Sequence, residues 1–189
     1  METCKEKAPM LKLPIYRRAY KPLTLACQIA FRPAKESDLP LLEWGGEYVH
    51  FRHVFRQNYQ QQQRGERLML LAVLNNYPIG QMFIRFHDGM GFGDKYNSAY
   101  FYSLRVMLPF QGRGLGTELI QRGELLSREQ GLSWAWILVA KDNPRARRLY
   151  ERLGYRVVGE DAGDWSYINH EGRRVDVYEP SWALSRALD

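Results

Sequence analysis

The chain has 189 residues, 45% of them hydrophobic and 25% charged, which suits one globular domain and is short for two. No apolar run reaches the ~18 residues of a membrane-spanning helix, the N-terminus lacks the apolar centre of a secretory signal, and two cysteines, Cys4 and Cys27, are too few for a disulfide framework. The net charge of +6 is concentrated in residues 1–25, where Lys5, Lys7, Lys12, Arg17, Arg18 and Lys21 face only Glu2 and Glu6. A basic, irregular arm is therefore expected over 1–25, followed by a nearly neutral domain over 26–189. No Cys/His cluster has ligand spacing, so no metal is expected. The expected setting is the cytoplasm, with both thiols reduced.

Pro9, Pro14 and Pro22 punctuate the arm. A first strand is predicted over 27–32, then a short helix capped by Ser37 or Asp38 and running to Trp44. Phe51, Phe55 and Tyr59 recur at four-residue spacing in a second helix over about 48–64. Residues 68–74 read as a buried strand, 75–78 as a turn and 79–87 as its hairpin partner. A loop with Gly89, Gly91 and Gly93 precedes a long strand over 99–108. The next helix, 112–130, carries Leu115, Leu119 and Leu126 on one face and ends at Gly131. A strand over 134–139 leads to a helix over 143–153, with Pro144 in its first turn and Gly154 just past its end. A strand over 155–158 follows. The last hairpin turns at 169–172 and returns through 175–178. This order predicts an α/β domain on a mixed, mostly antiparallel sheet of six or seven strands, flanked by helices.

The segment Gln111-Gly112-Arg113-Gly114-Leu115-Gly116-Thr117 lies between a strand and a helix. Alternate glycines let the backbone approach a bulky ligand. The first helix turn offers unpaired N–H donors and a partial positive charge, an anion site suited to a pyrophosphate. Arg113 can add a charge-assisted hydrogen bond. A Walker loop needs lysine after its last glycine, and here Thr117 follows Gly116 directly. A dinucleotide fingerprint needs Gly-x-Gly-x-x-Gly and an acidic residue on the next strand; neither is present.

The stretch from Val106 to Gly116 resembles the acetyl-CoA loop of the GNAT acetyltransferase superfamily, whose Gln/Arg-x-x-Gly-x-Gly/Ala signature is matched by Gln111, Gly114 and Gly116. The later series Asn143, Ala146, Tyr150, Gly154 and Tyr155 resembles the family's second motif, and the element order is similar over about 28–180. The resemblance implies a GNAT-like fold and transfer of an acetyl group from acetyl-CoA to an amine, either a small molecule or a peptide. It also implies roles for particular residues. Backbone groups of Leu104 and Val106 would pair with the pantetheine arm, and the Val106 N–H would polarise the thioester carbonyl. The loop Gln111, Gly112, Arg113, Gly114, Leu115, Gly116 and Thr117 would hold the pyrophosphate. Asn143 would hydrogen-bond the coenzyme, and Tyr150 would act as general acid to the leaving thiolate. Asn143 before Pro144 also suits a helix cap, and Tyr150 lies on an apolar helix face where tyrosine often serves the core.

Many family members place a Glu on the strand before the loop. Here 99–105 holds no carboxylate, which leaves the base open among a water held by Tyr100 or Tyr102, a loop carboxylate (Glu47, Asp88 or Asp94), or none, the amine attacking already neutral. Trp44 and Trp165 are candidate walls of an acceptor pocket, and Asp161 and Asp164 candidate attractors of a cation. Among Lys141, Arg145, Arg147, Arg148, Arg152 and Arg156, some can meet the nucleotide phosphate; a solvated face reads the same way. Two other classes fit less of the sequence: a degenerate coenzyme-binding module, suggested by the missing carboxylate, and a nucleic-acid binder using the basic arm, although the domain has no basic groove signature. The oligomeric state stays open, a homodimer being one arrangement.

Overall fold

The computed structural model describes residues 26–87 and 97–188. The basic arm and most of the glycine-rich loop, with Asp88 and Asp94, lie outside the described residues. The elements are β1 (Ala30–Pro33), two 3-10 segments (Glu36–Gly46 and Val49–Phe51), α1 (Arg52–Gln63), β2 (Arg67–Leu74), β3 (Tyr77–Arg85), β4 (Ser98–Val106), a 3-10 turn (Leu108–Phe110), α2 (Leu115–Glu129), β5 (Trp134–Ala140), α3 (Pro144–Arg152), β6 (Arg156–Asp161), β7 (Asp164–Ile168), β8 (Arg174–Tyr178) and β9 (Ser181–Ala187).

The run Leu68-Met69-Leu70-Leu71-Ala72-Val73 has no polar alternation because β2 is covered on both faces. Leu70 and Ala72 pack toward α2 with Met82, Ile84, Leu119 and Ile120. Met69, Leu71 and Val73 pack on the other side with Leu42, Phe55 and Phe83. Each fully buried phenylalanine contributes on the order of 1.5–3 kcal/mol.

The expected short helix ending at Trp44 is a 3-10 segment, and its cap differs. Pro40 lies inside it, and Trp44 (φ +43°) and Gly45 (φ +69°) break its helical path. Asp38 stands inside the segment, where its carboxylate accepts from the Lys35 N–H at 2.7 Å and from both terminal nitrogens of Arg32 at 2.6 and 2.9 Å. Burial pushes that carboxyl up, but the Arg32 and Lys35 hydrogen bonds outweigh it and hold it below its ordinary value.

Seven strands form one sheet in the order β1-β2-β3-β4-β5-β9-β6, and β7 pairs with β8 apart from it. Among the described strands, only β4 and β5 run parallel. The hydropathy pattern did not reveal β9, which inserts between β5 and β6 and pairs antiparallel with both. Tyr155 ties this region to α2: its hydroxyl donates to Glu124 Oε1 at 3.0 Å, and Arg186 of β9 reaches both oxygens of the same buried carboxylate at 3.1 Å.

Two features open the sheet. Opposite Gln81–Phe83 the β3–β4 register shifts, and Ser103 takes φ +52°; this bulge bends β4. Pairing of β4 with β5 then ends at Phe101 and Ile137, although both strands continue. A gap opens beside 104–106.

Helix α2 lies close against this bend. A Cβ at Gly123 would overlap Met82 Cε and stand 3.1 Å from Phe101 and 3.2 Å from Ile84. Gly123→Val is therefore expected to destabilise the protein by about 1–3 kcal/mol through overpacking. Thermal unfolding checks this, at roughly 2–4 °C per kcal/mol for a chain of this size; an unchanged midpoint would mean the contact is slack.

Candidate active site

The gap between β4 and β5 is a cleft of about 410 Å³, within the range of ordinary ligand sites. Leu104 and Val106 of β4 form one wall. Phe110, Gln111, Gly112, Gly114, Leu115, Gly116 and Thr117 form its end, and Asn143, Arg145, Ala146, Leu149, Tyr150 and Arg152 the other wall. Of the residues expected to hold the coenzyme, all but Arg113 line this one cleft. The Arg113 guanidinium turns back to the Pro109 carbonyl at 3.4 Å. Arg145 and Arg152 supply cations at the wall instead. Arg147 pairs with Glu151 at 2.8 Å and Lys141 with Glu160.

The backbone leaves polar groups unpaired along the cleft. The Met107 N–H donates to the Ile79 carbonyl at 2.9 Å. Alternation along the strand then turns the Val106 N–H away from β3, toward the side that β5 has left. The Val106 carbonyl accepts from Gln111 Nε2 at 2.9 Å, and Arg145 holds the Gln111 oxygen at 3.0 Å.

Gly112 (φ +72°) and Gly114 (φ +85°) adopt left-handed backbone with no atom within 4 Å of where a Cβ would stand. Gly114 is the N-cap of α2 and contributes no side-chain cap. The first intrahelical bond runs from the Glu118 N–H to the Gly114 carbonyl at 3.0 Å. The N–H groups of Leu115, Gly116 and Thr117 are thus left at the cleft, at the positive end of a 15-residue helix. That is a place for an anion.

Asn143 caps α3: its side-chain oxygen accepts from the Ala146 N–H at 3.0 Å. Tyr150 is 5% exposed, with its ring 6.3 Å from that of Tyr155. Its hydroxyl has no hydrogen-bond partner among the described residues. Burial pushes it up to about 12, so it stays protonated throughout the neutral range.

The opposite face of β4 carries Arg105, which the sequence did not single out. Arg105 points away from the cleft because it alternates with Leu104 and Val106. Its guanidinium carbon lies 4.6 Å from the ring centre of Tyr48 and 4.7 Å from that of Phe51. His50 packs on Phe51 at 4.2 Å, and Tyr167 of β7 lies 4.9 Å from Phe51. Burial, then the charges of Arg105 and His170, hold His50 below the ordinary imidazole value. The only signal available in the sequence was a lone cation inside an otherwise uncharged strand.

Other candidates fall elsewhere. Tyr100 and Tyr102 do share a face, stacked at 5.2 Å, but the Tyr102 hydroxyl is bonded to Asn58 and Arg67. Trp44 is an anchor rather than a pocket wall: it is buried, and its indole N–H donates to the Pro78 carbonyl at 2.9 Å. Trp165 is 42% exposed on β7, 5.5 Å from Tyr167. Asp161 accepts from the Gly163 N–H at 2.8 Å in a turn. Glu47 interacts with the Tyr48 hydroxyl. Among the described residues, no helix is long and apolar enough to cross a membrane, and no group of three or more His, Cys, Asp or Glu can hold a metal ion.

A mixed sheet splayed beside a glycine-rich helix start, with a buried tyrosine across the gap, defines an α/β protein with an open cleft in its sheet. The model of the acetyltransferase (GNAT) family matches residues 34–155, and the chain belongs to that family. Mycothiol acetyltransferase of Nocardiopsis dassonvillei is 38% identical over 74 residues, which are 39% of this chain and 22% of that protein. Its counterpart in Thermobifida fusca is 35% identical over 74 residues, 39% of this chain and 23% of that protein. The matched region thus spans about a fifth of these curated relatives.

Among solved structures, the fold is shared with the ribosomal-protein-S18-alanine N-acetyltransferase from Escherichia coli, with a TM-score of 0.64 at 17% identity, covering 86% of this chain and 95% of that one. It is also shared with the spermidine/spermine N-acetyltransferase SpeG from Vibrio cholerae, with a TM-score of 0.63 at 18% identity, covering 85% and 94%.

Proposed function

We propose that this protein transfers an acetyl group from acetyl-CoA to a primary amine by direct attack in the β4–β5 cleft. The observation that carries the reading is that Val106, the start of α2 and the buried Tyr150 line one cleft. We take 26–189 as the acyltransferase domain, 1–25 as an arm outside it, and the cytoplasm, which supplies acetyl-CoA, as its setting.

Residues 104–106 offer backbone groups to the pantetheine amides as an added strand would. The helix start at 115–117 and the loop before it suit the pyrophosphate, with Arg145 and Arg152 as nearby cations. The Val106 N–H is placed to donate to the thioester oxygen as negative charge gathers there. The amine nitrogen forms the new bond to the acetyl carbon, and the carbon–sulfur bond breaks. Tyr150, at about 12, is a weaker acid than a thiol of roughly 8.5. It therefore steadies the leaving sulfur by a hydrogen bond, and the proton shed by the amine balances the free thiol.

The fold leaves the acceptor open, since its structural neighbours are named for a ribosomal-protein alanine and for spermidine. The test is thiol release from acetyl-CoA against a panel of amines. Release that rises with one class of amine and yields the N-acetylated product is expected. Tight acetyl-CoA binding with no amine-dependent release would make the chain a coenzyme-binding module instead.

A further inference from the structure

We propose that the acceptor carries a carboxylate close to its amine and that Arg105 binds that carboxylate. The inference rests on the transfer reading above and adds the chemical class of the acceptor.

Arg105 adjoins Val106, about 3.8 Å away along the chain, and projects from the face opposite the coenzyme cleft. A group held by its guanidinium lies across β4 from the coenzyme, and its amine would reach the thioester through the gap where β4 and β5 part. The guanidinium is half-buried beside Tyr48 and Phe51, and it makes no hydrogen bond or ion pair with any described residue. Burial pushes it down from its ordinary value, while Tyr48, Glu179 and Glu47 act in the other direction without closing an ion pair.

A guanidinium has five N–H donors in a flat fork. Leaving them unpaired in a partly dry site is costly. The two rings offer no hydrogen-bond acceptor in their planes, so the N–H donors remain for an acceptor of matching shape. A carboxylate fits that fork with two parallel bonds.

The charges around the site favour the same class. His50 is held toward its neutral form, so Arg105 is the permanent cation of this aromatic wall. A simple ammonium would be repelled by it. An amine with a carboxylate nearby is attracted, and Arg105 also favours loss of the amine's proton. Glu47 and Glu179 pull toward the opposite class, a polycation. Glu47 also acts on the Tyr48 hydroxyl, which burial and then this carboxylate push up.

The test compares matched pairs on the full chain: free amino acids and their amides as substrates, and N-acetyl amino acids and their amides as ligands in thermal unfolding. For wild type, the acids should exceed their amides by at least tenfold in kcat/KM, and only the acids should raise the unfolding midpoint. In Arg105→Gln both preferences should vanish, while the shift caused by acetyl-CoA and the midpoint of the free protein hold. Arg105→Lys should keep part of the preference. Equal response to acid and amide, a preference for polyamines, or an unchanged preference in Arg105→Gln overturns the inference. Selective binding of the acids with no transfer at all would support Arg105 and count against the transferase reading.

Discussion

Gly114→Asp should abolish the stabilisation that acetyl-CoA gives this protein while leaving the fold intact. Gly114 has φ +85° and open space beyond its missing side chain. A non-glycine residue there pays about 1–2 kcal/mol for left-handed backbone, and aspartate tolerates that region better than most. At the N-cap of α2 its carboxylate gains the N–H groups of the first turn, which offsets part of the strain. Those are the donors assigned to the pyrophosphate, and the new charge also repels it. Ligand at about 100 times its dissociation constant stabilises wild type by roughly 2.7 kcal/mol, or roughly 5–10 °C. The variant should show none of this shift, and Gly114→Ala, which adds no charge, should keep most of it. A full shift in Gly114→Asp would mean that the phosphates are held elsewhere.

Tyr150→Phe should lower kcat by about 100-fold or more, the effect of losing one hydrogen-bond donor to developing charge, and leave the KM for acetyl-CoA nearly unchanged. The hydroxyl has no partner among the described residues, so its removal leaves no orphaned protein group, and the unfolding midpoint should not fall. The pH profile offers a second check. A hydroxyl raised to about 12 is protonated below that pH, so it imposes no alkaline limb between pH 7 and 10. Equal turnover in the variant, across several amines, would remove Tyr150 from the chemistry.

Much of the cleft was legible in the sequence because it is local. The glycine pattern at 112–116, the Pro144 start of α3 and the Gly154 stop each declare a backbone geometry within a few residues. The double-sided burial of β2 showed in its unbroken apolar run. What stayed hidden depends on distant pairing. The segment Ser181-Trp182-Ala183-Leu184-Ser185-Arg186-Ala187 becomes a strand by slotting between β5 and β6, and Arg186 has meaning only once Glu124 of α2 is beside it. Trp44 read as a pocket wall because it stands in the connection between two predicted helices, where acceptor loops lie; its bond to Pro78 reaches across 34 residues. Arg105 gave no sign of its aromatic surroundings, since Tyr48 and Phe51 lie more than fifty residues earlier.

Hydrogen exchange of the backbone amides with and without acetyl-CoA tests the central claim most directly. Two neighbouring amides of β4 serve as each other's control. The Met107 amide is already bonded to Ile79 and should be slow in both states. The Val106 amide faces the gap and should exchange readily in the free protein. With acetyl-CoA it should slow markedly, together with the amides of Leu115, Gly116 and Thr117. Protection that leaves Val106 and 115–117 untouched, or appears only on another surface, would contradict the assignment of this cleft to the coenzyme.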